Sequence, residues 1–249
     1  MNKPYIGITG FVSRQEVEAM LALMPAEGRH KLMVGVLVSS KSLCGVANRW
    51  PNRYSEVEEI QSIFVDHPCA LNLIHFNFKK DLGGKLSDEM AILMNIAGPA
   101  CHGFQLNIPW PSLDELRLFR NEYPNVVIVL QIGSRAFERV RNPDVMASLI
   151  NAYSRHIDYV LLDPSCGFGQ PLNQAQLLYY LESIYQPSLG IGYGVAGGLS
   201  AGTFHLIPEI VKRYPDICID TEGLLRDEED RLNLDEAGDY LREALRVQK

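Results

Sequence analysis

Short, almost wholly apolar runs alternate along this chain with stretches whose apolar residues recur every three or four positions. The first run is Tyr5–Thr9, YIGIT. Ser13, a good N-cap, then opens a stretch that places Val17, Met20, Leu21 and Met24 at helical spacing. A second run covers 32–38, and a long loop leads to a helix expected near 55–64. Further strands are expected at 71–76, 104–107, 126–131, Tyr159–Asp163, 190–196 and 217–220. The helices between and after them fall near 87–96, from Ser112, at Pro143–Tyr153, and near 174–185, 201–214 and 234–246. The pattern predicts eight strand–helix pairs.

The strand runs lack the apolar/polar alternation of a half-exposed sheet, as expected of parallel strands covered on both faces. The chain has 249 residues, close to the roughly 250 of a typical eight-fold barrel. No low-complexity linker divides it, so one domain over 1–249 is expected. The fold class is α/β, a closed (β/α)8 TIM barrel, with an open doubly wound sheet as the structural rival. A 47% hydrophobic and 21% charged composition suits a full core and argues against disorder.

In a barrel, functional groups gather at the C-terminal ends of the strands and in the loops that follow. The candidates there are Thr9, the 39–54 loop, His75, Asn77, Gln105, Asn107, Gln131, Asp163 with the glycine-rich PSCGFG, Ala196-Gly197-Gly198, and the segment from Asp220 to Gly223. Gln105 and Asn107 lie two apart and share a strand face. Gln131 and Asp163 each end an otherwise apolar run. Asp163 either starts a plain loop or faces a substrate, with Gly167 and Gly169 shaping the rim. Gly197 and Gly198, just before a helix, suit convergent backbone N–H groups around a phosphate, or form an ordinary turn.

The formal net charge is −7 and no Lys/Arg cluster stands out, which argues against nucleic acid as a partner. A small-molecule substrate, of the phosphorylated kind such glycines accommodate, is expected, with no cofactor. The five cysteines are scattered and lack C-x-x-C spacing, so a disulfide framework or structural zinc site is not expected and a reducing cytoplasmic setting is. The N-terminal MNKPYIGITG lacks a signal-peptide core, and no apolar run has membrane-spanning length. RDEEDR, 226–231, reads as a solvated charged face. Trp50 and Trp110 stand beside prolines, as covers for the mouth or as rim packing.

Several segments, in order along the chain, resemble phosphoribosylanthranilate isomerase. PYIGIT resembles that family's K-I-C-G-I-T strand, PNRYSEVEEI its S-P-R-x-V-S segment, and GFQLNI its V-Q-L-H-G strand. DYVLLDPSCGFG resembles its D-x-x-L-L-D followed by G-G-T-G, and GVAGGLSAGT its L-A-G-G-L turn. IDTEGLLRDEEDRLNLDEAGDYL loosely resembles its S-S-G-V-E to K-D end. The resemblance implies a barrel that catalyses an Amadori rearrangement. An acid, matching Asp163, opens the sugar ring, and a base removes the proton on the neighbouring carbon. It also implies that Arg53 meets a substrate carboxylate, with Arg49 as a rival, and that Gly197, Gly198 and Gly223 border the phosphate.

The sequence departs from the family at three places. The family's basic cysteine aligns with Ile6, and the loss of a general base is worth roughly 10²- to 10⁴-fold. Cys44, Cys166 and His75 are possible replacements. Asn107 stands for a histidine. Glu222 stands within the phosphate-bordering turn, where a carboxylate about 5 Å from an anion costs roughly 3 kcal/mol. Glu222 therefore points away, holds a sugar hydroxyl, or replaces the base. Three functions follow: an isomerase of a phosphosugar-linked amine, a lyase or aldolase on a phosphorylated or carboxylated metabolite, and a non-catalytic binder. No lysine sits at a predicted strand end, which counts against Schiff-base aldolase chemistry. A metal-assisted variant would draw on His75, Asp163, Asp220 or Glu222.

Overall fold

The computed structural model describes residues 3–165 and 172–248. Eight strands close into a parallel barrel in sequence order: β1 (Tyr5–Thr9), β2 (Lys31–Ser39), β3 (Ala70–Asn77), β4 (Gly103–Leu106), β5 (Val127–Gly133), β6 (Tyr159–Asp163), β7 (Gly192–Ala196) and β8 (Cys218–Thr221). The ring closes where Ile6 of β1 pairs with Leu32 of β2 on one side and Ile219 of β8 on the other. The outer layer holds α1 (Arg14–Leu21), α2 (Ser40–Leu43), α3 (Ile60–Ile63), α4 (Leu86–Ala97), α5 (Leu113–Glu122), α6 (Ser134–Arg139), α7 (Pro143–Tyr153), α8 (Gln174–Ile184), α9 (Pro208–Arg213) and α10 (Leu234–Val247). The (β/α)8 expectation is met. Among the described residues no helix is long and apolar enough to cross a membrane.

Local chemistry sets the helix starts. Ser13 caps α1 with a full capping box, its hydroxyl accepting from the Glu16 N–H. Asn142, Asn173 and Asn233 do the same work before α7, α8 and α10. Three helices differ from the sequence expectation. The 55–64 helix is a 3₁₀ turn, Val57–Glu59, followed by one turn of α3. The 201–214 helix divides into a 3₁₀ stretch, Ala201–Leu206, and α9, because Pro208 has no N–H to continue the ladder. An extra helix, α6, precedes α7.

Alternation along each strand sorts side chains to two faces. Ile6, Ile8, Val34, Ile74, Phe104, Ile128, Leu162 and Val195 face the helices in the larger core. Tyr5, Met33, Leu71, Leu73, Val129, Tyr159, Leu161 and Cys218 fill the barrel interior. The inward positions change character going up the strands. On β3 Leu71 and Leu73 give way to His75, on β5 Val129 to Gln131, on β6 Leu161 to Asp163, and on β8 Cys218 to Asp220. An apolar plug thus supports a polar layer at the C-terminal mouth.

Ile6 lies on the outer face, fully buried against the helices. Whatever residue stood there, its side chain would not reach the mouth by that route. Thr9 is the β1 residue that does. Gly7, on the inward face, is required by space: a Cβ there would lie 2.5 Å from Asp220 Oδ1 and 2.8 Å from the Met33 methyl. Gly7→Ala is therefore expected to destabilise the barrel by about 1–3 kcal/mol, measured by urea unfolding. A loss below about 0.5 kcal/mol would show that the β1–β8 seam adapts freely.

Candidate active site

Six side chains from six strands meet at the top of the apolar plug. Gln105 and Gln131 stand between two carboxylates. Gln105 Nε2 donates to Asp220 Oδ2 at 2.9 Å and to Gln131 Oε1 at 3.2 Å. Gln131 Nε2 donates to Asp163 Oδ2 at 2.7 Å. Asp163 accepts, which fixes the direction of Gln131, and the Gln131 oxygen in turn fixes that of Gln105. Gln131 Oε1 can then only accept, so the His75 ring donates to it from Nε2 at 2.8 Å. Thr9 Oγ1 lies 3.2 Å from Asp220 Oδ1. Thr9, His75, Gln105, Gln131, Asp163 and Asp220 are all at most 5% exposed.

All of these but Thr9 line a solvent-open recess at the mouth, together with Ser165, Gly197, Gly198, Thr221, Glu222 and Gly223. His75 Nδ1 and Gln105 Oε1 are buried without a protein partner among the described residues. Buried acceptors are rarely left unmet, so both are available to a ligand hydroxyl.

The two carboxylates have different surroundings. Burial pushes the Asp220 carboxyl up to about 7, the charges of Asp163 and Glu222 add to the rise, and the bonds from Gln105 and Thr9 oppose it. Asp163 sits nearer the rim. Its Oδ1 accepts from the Ser165 N–H at 3.1 Å and from the Ser165 hydroxyl at 2.8 Å.

Beyond β7, Gly197 and Gly198 adopt φ of 107° and 62°, conformations that favour glycine. A Cβ on Gly197 would lie 2.7 Å from the Ser165 hydroxyl and 3.2 Å from Asp163 Oδ1. The turn is tied down by Thr203, whose hydroxyl donates to the Gly198 carbonyl at 2.8 Å. Among the described residues no group of three or more His, Cys, Asp or Glu side chains is arranged to hold a metal ion.

Arg53 is not a solvated loop residue. Its guanidinium donates from Nη1 to Glu222 Oε1 and from Nη2 to Asp230 Oδ1, both at 2.7 Å, and from Nε to both Asp230 oxygens. It also lies 4.7 Å from the centre of the Trp50 ring, which Arg49 approaches at 4.9 Å. Burial works against the charge, yet the hydrogen bonds and charges of Asp230 and Glu222 leave Arg53 with a raised pKa. Glu222 does line the mouth, but its charge is matched by Arg53. Arg226, from the expected solvated run, instead reaches inward and donates to the Thr9 and Gly10 carbonyls. Trp110 donates to the Ala136 carbonyl at 3.2 Å and packs on Tyr153, which makes it rim packing.

Of the sequence candidates, Asp163, Gln105, Gly197, Gly198, Glu222 and Gly223 meet at this cavity. Arg53 adjoins it through Glu222. Asn107 lies past the end of β4, its N–H donating to the Phe76 carbonyl, and does not line the cavity. Gly167 and Gly169, like Cys166, lie outside the described residues. Cys44 is exposed on the long loop. Thr9, His75, Gln131 and Asp220, strand-end candidates of the sequence, join the same network, and parity explains why: each stands two residues above an interior position of its own strand.

No protein-family model matches the sequence, and no curated protein matches it. Solved structures do. Phosphoribosyl anthranilate isomerase from Thermotoga maritima superposes with a TM-score of 0.64 at 14% identity, covering 97% of this chain and 98% of its own. TrpF from Jonesia denitrificans gives 0.65 at 14% identity, covering 98% of both chains. The catalytic domain of a hyperthermophilic chitinase from Pyrococcus furiosus gives 0.60 at 10% identity, over 98% and 96%. At such identities the likeness is one of fold: a TIM barrel built like that of phosphoribosylanthranilate isomerase.

Asp220 predicts a pH-dependent stability. Below about pH 4 both folded and unfolded chains hold its proton; as pH rises to about 7 only the folded chain does, so stability falls across that window. Asp220→Asn abolishes this dependence. Relative to wild type, the variant is expected to gain roughly 3 kcal/mol between pH 5 and pH 8, read by urea unfolding. A constant difference at the two pH values would mean that Asp220 is ionised throughout.

Proposed function

We propose that this chain catalyses an aldose–ketose rearrangement of a phosphosugar-linked amine, an isomerisation of the Amadori type. The observation that carries the reading is the pair of buried carboxylates, Asp163 and Asp220, ending β6 and β8 beside the glycine turn of β7. Such an isomerisation needs no oxidant and no activated co-substrate. It needs one group to protonate the ring oxygen and one to move a proton between adjacent carbons. Two carboxyl groups in unlike surroundings meet that requirement. The unmet acceptors on His75 and Gln105 suit sugar hydroxyls.

In this reading the Gly197-Gly198 turn seats the phosphate through backbone N–H groups. The neutralisation of Glu222 by Arg53 removes much of the repulsion that a carboxylate in that turn would exert. The same ion pair favours a changed substrate over a changed reaction. Arg53 already holds two carboxylates of its own chain, so the amine half of the substrate needs no carboxylate.

The test compares ribose 5-phosphate adducts of anthranilate and of aniline, with formation of the ketose as readout. Both adducts are expected to turn over, with kcat/KM values within about tenfold of each other. Asp163→Asn is expected to lower kcat by about 10²-fold or more while the fold persists. Undiminished turnover in that variant would exclude Asp163, and failure of wild type on both adducts would exclude the isomerase. For the phosphate seat, Gly198→Asp is expected to weaken competitive inhibition by inorganic phosphate about tenfold or more. Equal inhibition would place the phosphate elsewhere.

A further inference from the structure

The two carboxylates of the site are not interchangeable, and this inference, which rests on the isomerase reading above, concerns which does what. Each oxygen of Asp163 faces a donor that cannot accept, Gln131 Nε2 on Oδ2 and the Ser165 N–H on Oδ1, where the Ser165 hydroxyl also meets it. A proton on either oxygen would oppose one of these fixed donors, which favours the ionised form. Asp220 is placed otherwise. Among the described residues only Gln105 Nε2 is an obligatory donor to it. Its other close neighbour is the Thr9 hydroxyl, which accepts as readily as it donates. Asp220 can therefore carry a proton, give it to Thr9 Oγ1, and lose no hydrogen bond. Burial of the whole side chain favours the same neutral state.

We propose that Asp220 is the acid that opens the sugar ring and that Asp163 is the base that takes the proton from the neighbouring carbon. This reverses the part that the motif resemblance implies for Asp163. Asp220 gives its proton to the ring oxygen as the C1–O bond breaks and the nitrogen lone pair forms C1=N. Asp163 takes the proton on C2; the C–H electron pair becomes C1=C2, and the C=N pair returns to nitrogen. Asp163 then delivers its proton to C1 while the C2 hydroxyl gives its proton to water at the open mouth, from which Asp220 is reprotonated. The ketone and amine leave with both carboxyl groups restored, and nothing is oxidised or reduced. Gln105 and Gln131 act as positioning residues, holding the acid and the base apart and in opposite protonation states.

The groups facing Asp220 support this division. They are Thr9 and Tyr5 from β1, Gln105 from β4, Asp163 from β6, Cys218 and Glu222 from β8 and its end, and Tyr240 from α10. Burial holds Tyr5 and Tyr240 well above the usual tyrosine value and pushes the Cys218 thiol up to about 12. All three stay neutral in the working range, so the charges that favour protonated Asp220 are those of Asp163 and of Glu222, the latter paired with Arg53.

Two probes separate the steps. The aniline adduct of ribose 5-phosphate must be opened before proton abstraction. The aniline imine of erythrose 4-phosphate cannot close a five-membered ring, because its O4 carries the phosphate, and needs abstraction only. Asp220→Asn is expected to lose about 10²-fold or more on the ring substrate and to stay within about fivefold of wild type on the open one. Asp163→Asn is expected to lose both, while borohydride traps the opened imine on the ring substrate. Wild-type kcat/KM on the ring substrate is expected to fall as pH rises through about 7. The reverse pattern of variants, or equal losses on both probes, overturns the assignment while leaving the isomerase intact. Wild type inactive on both probes removes the isomerase reading and the assignment with it.

Discussion

The structure of the mouth depends on the direction of two side-chain amides. Gln131 donates to the Asp163 carboxylate, and that single fact turns its oxygen toward Gln105 Nε2 and the His75 ring and so orients the polar atoms around them. Each amide has an oxygen end and a nitrogen end, so a chain of them transmits orientation. Turning one amide over would place oxygen against carboxylate oxygen and cost two bonds in a buried setting. The apolar plug below makes this strict, because Met33, Leu73, Val129 and Leu161 offer no alternative partner.

The barrel was legible in the sequence because its physics is local and repetitive. Parallel strands covered on both faces read as apolar runs, and capping serines and asparagines mark where helices begin. The errors were equally local. Pro208 cut a helix that looked continuous, and the 55–64 segment kept its apolar contacts, with Val57, Ile60 and Ile63 buried, while coiling more tightly. Ile6 shows a different limit: a motif match gives its sequence position without its parity, and parity turns it outward.

The site was legible as a set of strand ends and illegible as a network. Nothing in linear sequence says that Gln105 will reach Asp220, 115 residues away, rather than a nearer partner. Nor does composition reveal that Arg53 will meet Glu222 and Asp230. That arginine, read alone, is a candidate ligand for an external carboxylate. Read with its partners, it is the counter-charge that lets a glutamate stand at an anion-binding turn. The difference is one of long-range geometry, which only ring closure supplies.

That geometry bears on how the molecule assembles. The Arg53–Glu222 and Arg53–Asp230 pairs join residues 169 and 177 apart in the chain, and Arg226 reaches Thr9 across 217. Contacts of such separation form only after the intervening units have been brought together, at a cost in chain entropy that nearby contacts do not carry. The clasp over the mouth therefore belongs to the last stage of folding, when β8 meets β1. Until then Asp220 lacks Thr9, and the chain can hold most of its helices and strands without holding a working site.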